Sequence, residues 1–126
     1  MDLGIFHNGS TNAPMKRAEN GIVIPDCTVR ELHKHNKQVV NDQIRHGVVA
    51  DEVGLDRAFF TEHHFEITGA EMSTNPLNSQ MAVAAQTDDI VLCQMGNILP
   101  WHDPVRLAEE ASLLDIYSGG RAEIGI

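Results

Sequence analysis

The stretch Arg57-Ala58-Phe59-Phe60-Thr61-Glu62-His63-His64-Phe65 is the point from which the fold can be read. Its opening run, Arg57 to Thr61, is short, aromatic and free of turn residues, as a strand covered on both faces would be. A carboxylate and two imidazoles follow at its carboxyl end. Upstream, Thr28 opens a helix and Gly54 closes it. Thr28 and Glu31 form a capping box, and Val29, Leu32, Val40, Ile44 and Val48 make an apolar stripe. Gly47 within this helix costs it about 1 kcal/mol relative to Ala. Earlier still, Leu3 to Phe6 reads as a first strand. A polar stretch from His7 to Cys27 joins the two and holds Asn8-Gly9, Pro14, Gly21 and Pro25. At about twenty residues it exceeds the ~12–15 usual for a connection without a function, which predicts a lid or binding loop.

Downstream of the quoted stretch a loop runs to Asn75, and Pro76 takes a first helical position. Leu77 to Gln86 is then a helix rich in Ala and Met, Ile90 to Met95 a third strand, and Gly96 to His102 its exit loop. Asp103 caps a third helix with Pro104 at its first position, and Leu107, Ala108, Ala111 and Leu114 line the face it buries. Ser118-Gly119-Gly120 turns into a fourth strand, Ala122 to Ile126. Strands alternating with helices predict an α/β fold, a parallel (β/α) repeat with helices outside and right-handed crossovers. A doubly wound sheet and a (β/α)8 barrel both satisfy that pattern. No GxGxxG or GxxxxGK[ST] follows the first strand, so the nucleotide-binding open sheets lose support. Four strands are half of a barrel of roughly 250 residues. No helix follows the last strand to cover it, so residues 1–126 are expected to be the first half of a longer TIM-barrel domain.

Composition narrows the function. The chain has 126 residues, with 9 Lys and Arg against 18 Asp and Glu, a formal net charge of −9. No basic stripe is available to neutralise phosphates or lie on an anionic membrane, which argues against nucleic-acid and membrane-surface partners. No apolar run approaches the ~20 residues of a membrane span, and Met1 to Ser10 has no secretory apolar region. Cys27 and Cys93 have no ligand spacing around them. The expectation is a reduced, cytoplasmic protein.

In both candidate folds ligands bind at the carboxyl ends of the strands. That rule selects His7-Asn8, Glu62-His63-His64-Phe65 and Met95-Gly96-Asn97. An imidazole titrates near neutral pH and can move a proton on demand, and a carboxylate beside it fixes its tautomer. The plainer reading of the pair is a structural histidine bonded to a loop. A metal site is weakly supported. Adjacent His63 and His64 point to opposite sides of an extended segment, and His33 and His35 diverge by about 200° on a helix. In Gln94-Met95-Gly96-Asn97 the apolar run breaks at a glycine, where a flat molecule can approach the backbone or the strand simply turns.

Several segments in order resemble the amino-terminal half of the bacterial luciferase-like, flavin-dependent monooxygenases. They are Leu3-Gly4-Ile5-Phe6, Ala50 to Asp56, Thr61-Glu62-His63-His64-Phe65, Asn75-Pro76, Leu99-Pro100-Trp101-His102-Asp103-Pro104-Val105-Arg106-Leu107-Ala108-Glu109-Glu110, Leu114-Asp115, Ser118-Gly119-Gly120-Arg121 and Ile124-Gly125-Ile126. The resemblance implies a TIM barrel that uses reduced FMN, or a deazaflavin in some members, and dioxygen to oxygenate a small organic substrate. It implies a separate flavin reductase as donor and a homo-oligomer in the full-length form. His63 matches the family's active-site histidine, with Glu62 near the flavin edge. Gln94, Met95, Gly96 and Asn97 match the segment that supports the flavin, with a cis peptide expected between Met95 and Gly96. Cys93 and Gln94 stand where smaller residues are common, and the long His7–Cys27 segment does not imply an aldehyde substrate. Two other readings stay open: a non-catalytic half barrel that binds a ligand or partner, and a metal-dependent TIM-barrel hydrolase.

Overall fold

The computed structural model describes residues 1–65 and 71–126. Part of the loop expected between Phe65 and Asn75 lies outside the described residues. The chain runs β1 (Gly4–His7), β2 (Met15–Arg17), β3 (Val23–Pro25), α1 (Val29–Glu52), β4 (Arg57–Thr61), α2 (Pro76–Ala84), β5 (Val91–Met95), a 3-10 turn (Leu99–Trp101), α3 (Pro104–Ser118) and β6 (Ala122–Glu123). Strands β1, β4, β5 and β6 pair in parallel, and their spatial order follows the sequence. A doubly wound sheet reverses direction after its first strands, and these four do not. They have the arrangement of successive strands in a (β/α)8 barrel wall.

Register divides the wall into two faces. Ile5, Ala58, Phe60 and Leu92 share the face turned to the helices, where Ala58, Phe60 and Leu92 join Ala50, Leu77, Val83, Leu107 and Leu114 in the core. Phe6, Arg57, Phe59, Thr61, Cys93, Met95 and Glu123 share the face without helices, and Phe6 and Met95 are each 55% exposed there. Helices on one side only are what a barrel wall requires. No helix is long and apolar enough to cross a membrane among the described residues.

Local chemistry explains the helix starts. Thr28 Oγ1 accepts from the Glu31 amide at 3.3 Å while Glu31 accepts from the Thr28 amide at 2.9 Å, closing the expected box. Asp103 accepts from the amides of Val105 and Arg106 at 3.0 Å each, and Pro104 needs no donor partner at its position.

The structure corrects several expectations. The His7–Cys27 stretch is not one loop: β2 and β3 form an antiparallel hairpin within it. These strands are three residues each, too short to carry an alternating pattern. Helix α1 buries Val39, Gln43, Gly47 and Ala50, while Val29 is exposed and Leu32, Ile44 and Val48 only flank the contact. Gly47 is the reason. A Cβ there would sit 2.8 and 2.9 Å from the two Val83 methyls, so the bare glycine lets α1 close onto α2. Gln43 beside it donates to the Met72 carbonyl at 2.8 Å and accepts from Ser79 Oγ at 3.2 Å. Ala108 is exposed, because Leu107 and Leu114 alone define the buried edge of α3 with Ser118. The last strand covers Ala122–Glu123 rather than running to Ile126.

Candidate active site

The carboxyl ends of β1, β4 and β5 form a rim. At the end of β1, His7 Nδ1 accepts from the Gly9 amide at 3.0 Å. Burial pushes the His7 imidazole below its usual range and the adjacent His46 pushes it further, against a weaker pull from Asp42. At the end of β4, Thr61 lies opposite Met95 of β5. The backbone then leaves the sheet, and Glu62 turns its side chain fully inside the protein.

Glu62 gathers three donors. His102 Nε2 lies 2.9 Å from both carboxylate oxygens, the Ile98 amide donates at 2.9 Å, and His64 Nε2 bonds to Oε1. Burial alone would raise this carboxyl, but His64, His102 and the Ile98 amide together hold it below the usual glutamate range. An ionised carboxylate can only accept, so both histidines carry their proton on Nε2. The arrangement ties the end of β4 to the segment that leads from β5 into α3. His64 also stacks on Trp101 with centroids 5.2 Å apart, and Trp101 meets Phe65 at 5.4 Å. Phe65 takes the left-handed backbone, φ 51°, to reach it.

His63 faces a different set of partners. Its Nδ1 lies 3.0 Å from Glu71 Oε2, its amide donates to the Ser73 carbonyl at 2.7 Å, and its side chain is 37% exposed. Ser73 Oγ donates to the Thr61 carbonyl, so the loop is fastened on both sides of the histidine.

The segment after β5 splits in two. Gln94 and Asn97 are buried and bonded to one another, and Gln94 Nε2 donates to Gln80 Oε1 at 2.9 Å. The Asn97 amide and its side-chain Nδ2 both donate to the Gly125 carbonyl at 2.8 Å. Met95 is exposed, and Gly96 adopts φ 89°, a conformation open to glycine. The expected cis bond between Met95 and Gly96 is absent: the described residues contain no cis peptide bond, and the positive φ of Gly96 makes the turn instead.

Of the six residues singled out from sequence, His63, Met95 and Gly96 reach the open rim. Glu62, Gln94 and Asn97 point inward, where the structure gives them buried hydrogen bonds. Glu71, His102 and Gly125 were not among them. Each joins the site through a contact distant in sequence, so no local pattern announces it. His35 bonds to Asn12 at 3.0 Å while His33 is exposed, so that pair does diverge. Among the described residues no group of three or more His, Cys, Asp and Glu is arranged to hold a metal ion.

Residues 10–126 match the sequence profile of the luciferase-like monooxygenases. The chain is 36% identical over 76 residues to the alkanal monooxygenase beta chain of Photobacterium leiognathi, covering 60% of this chain and 23% of that one. It is 31% identical over 90 residues to the oxygenase component of the flavin-dependent trigonelline monooxygenase of Acinetobacter baylyi, covering 71% of this chain and 24% of that one. Its fold superposes on the oxygenating constituent of 3,6-diketocamphane monooxygenase from Pseudomonas putida, a structure in complex with FMN. The TM-score is 0.74 at 25% identity, over 100% of this chain and 29% of that one. The chain thus spans about a quarter of the length of the relatives it matches.

Proposed function

The chain belongs to the luciferase-like monooxygenase family, and on that premise we propose that it supplies the histidine-bearing half of a flavin-dependent monooxygenase barrel. The reaction is oxygenation of a small organic substrate with reduced FMN and dioxygen. The observation that supports this reading is the placing of His63 two residues past Thr61, the register partner of the exposed Met95, so that both lie at the carboxyl ends of neighbouring strands.

The residues present fit a flat ring. Phe6 and Met95 offer apolar surface on the helix-free face, and apart from its own chain neighbours no heavy atom lies within 4 Å of the place a Gly96 Cβ would take. Met95 and Gly96 would carry the ring, and Gln94 and Asn97 would hold that platform from behind through their buried bonds. Reduced FMN, when bound, supplies the electrons that activate dioxygen. His63 would then take a proton at the rim and return it, which is the work an exposed imidazole near neutral pH can do. Glu62 would keep His64, His102 and the Ile98 amide fixed, so that the rim beside His63 holds its shape. The remaining parts of the reading follow from the family: a reductase that delivers the reduced flavin, a homo-oligomer, a cytoplasmic setting, and residues 1–126 as half of a single barrel domain. A deazaflavin in place of FMN belongs to the same reading.

The test uses a complete barrel that carries residues 1–126. Anaerobic titration with reduced FMN should saturate at one flavin per barrel, and a flat titration overturns the flavin reading. Oxygen-dependent turnover can be sought with an alkanal, trigonelline and 3,6-diketocamphane, the compounds for which the relatives are named. On whichever is consumed, His63→Ala should slow turnover by about 100-fold or more. Unchanged turnover removes His63 from the chemistry.

A further inference from the structure

Two neighbouring histidines at one rim have separate carboxylates, and the two pairs differ in kind. His64 and His102 share Glu62, whose side chain has no exposure, and His64 is further pinned under Trp101. His63 alone faces Glu71, and that pair stays partly open, at 37% and 24% exposure. Glu71 is itself anchored. Asn8 Nδ2 donates to its Oε1 at 3.3 Å, its backbone bridges antiparallel to Ser10, and the next amide, Met72, donates to the Gly9 carbonyl at 2.8 Å. The histidine is anchored too, through its amide to Ser73. Imidazole and carboxylate are therefore held by their own backbones, not by a chance meeting of two long side chains.

We propose that Glu71 is a positioning residue for His63: it accepts the Nδ1 proton and so presents Nε2 as the unprotonated nitrogen at the rim. Nδ1 lies 3.0 Å from the carboxylate, within ion-pair reach, and an ionised carboxylate repels a facing lone pair and favours a facing N–H, so the proton of the neutral ring is assigned to Nδ1. Nε2 is left as the acceptor. His64 has the opposite tautomer, with Nε2 occupied by Glu62. The carboxylates thus sort two adjacent, chemically identical side chains into one that can exchange a proton at its outer nitrogen and one that holds the wall together. This rests on the flavin reading only for what His63 does with its proton; the tautomer assignment stands apart from it.

The experiment measures ring tautomers by 15N NMR on the 126-residue chain without flavin, at a pH where both rings are neutral. Wild type should show His63 protonated on Nδ1 and His64 on Nε2. In Glu71→Ala the His63 ring should shift toward Nε2–H while His64 keeps its own signal, which also reports that the fold survives. In Glu71→Gln, a milder change that keeps a partner for Asn8, the same shift should be partial. His63 already protonated on Nε2 in wild type, or unmoved in both variants, overturns the proposal. In the complete barrel, Glu71→Ala should lower kcat about 10-fold with KM little changed, and should cost nothing further in a His63→Ala background. An equal loss in that background also overturns it. Absent turnover in wild type overturns the flavin reading and leaves the tautomer result to decide this one.

Discussion

The two ends of the sheet use the same kinds of side chain for different purposes. At the amino ends, Asp51 accepts from the amides of Asp88, Asp89 and Ile90 at 3.2, 3.1 and 2.6 Å. Arg121 donates to the carbonyls of Ser118, Thr87 and Ile90 at 2.7, 2.9 and 2.9 Å. Arg57 joins Asp2 and Glu123. Every strong donor or acceptor named here is occupied by backbone or by an opposite charge, and the β4–β5 and β5–β6 crossovers are locked as a result. At the carboxyl ends the carboxylates face imidazoles, and each imidazole keeps one ring nitrogen outside the pair. The difference teaches that one barrel wall can be rigid at its base and chemically available at its rim without changing its strands.

The largest test of this contrast is Asp51→Ala. Three amides lose a charged acceptor, and urea unfolding should show a loss of about 3 kcal/mol. The His63 and His64 tautomers should not change, and a change there would mean that base and rim are not separable. Next is Gly47→Ala, whose new methyl would press on Val83. Overpacking should cost about 1–2 kcal/mol even after the gain in helix propensity, measured the same way. A neutral or stabilising result would mean that α1 can back away from α2.

Acid should act on both ends. Burial raises the Asp51 carboxyl, but the Ile90, Asp88 and Asp89 amides and Arg121 outweigh it, so it lies below its ordinary value, as Glu62 does. Each group binds its proton less readily folded than unfolded. Their contribution is therefore complete above the ordinary carboxyl range of about 4 and is lost as pH falls through the lower folded values. His7, held below its usual imidazole value, takes its proton more readily unfolded, so the urea midpoint should begin a shallow fall below about pH 6.5 and drop further below about 4 as these carboxylates are protonated. Asp51→Asn and Glu62→Gln should each flatten that drop, and the larger flattening identifies the end that carries the acid response. The smallest effect is at Cys93, midway along β5. Burial, then its bond to Glu123, pushes this thiol up to about 12. Alkylation at pH 8 should modify Cys27 and leave Cys93 intact, and rapid labelling of both would mean that the wall opens.

What could be read from sequence follows the range of the forces involved. Thr28 with Glu31 and Asp103 with Pro104 act within four residues, so the helix starts were legible, as was the alternation of strands and helices; the spatial order of the strands was not, since two folds share that alternation. The position of His63 and His64 at a strand end was legible for the same reason. Glu71, His102 and Gly125 were not, because each reaches its partner across a loop or a whole β/α unit. The buried face of α1 was misjudged because burial there follows the missing Cβ of Gly47 and the amide of Gln43, whereas an apolar stripe weighs only hydrocarbon. The hairpin of β2 and β3 escaped because its hydrogen bonds leave little trace in so few side chains.

Gly125 carries a last consequence. Its carbonyl takes both donors of Asn97, and a Cβ on it would fall 2.0 Å from the Gln94 carbonyl oxygen. One absent carbon thus decides how tightly neighbouring staves can bend together. Alanine here would prop them apart at the mouth, and the curvature that closes a cylinder would be lost at its first seam.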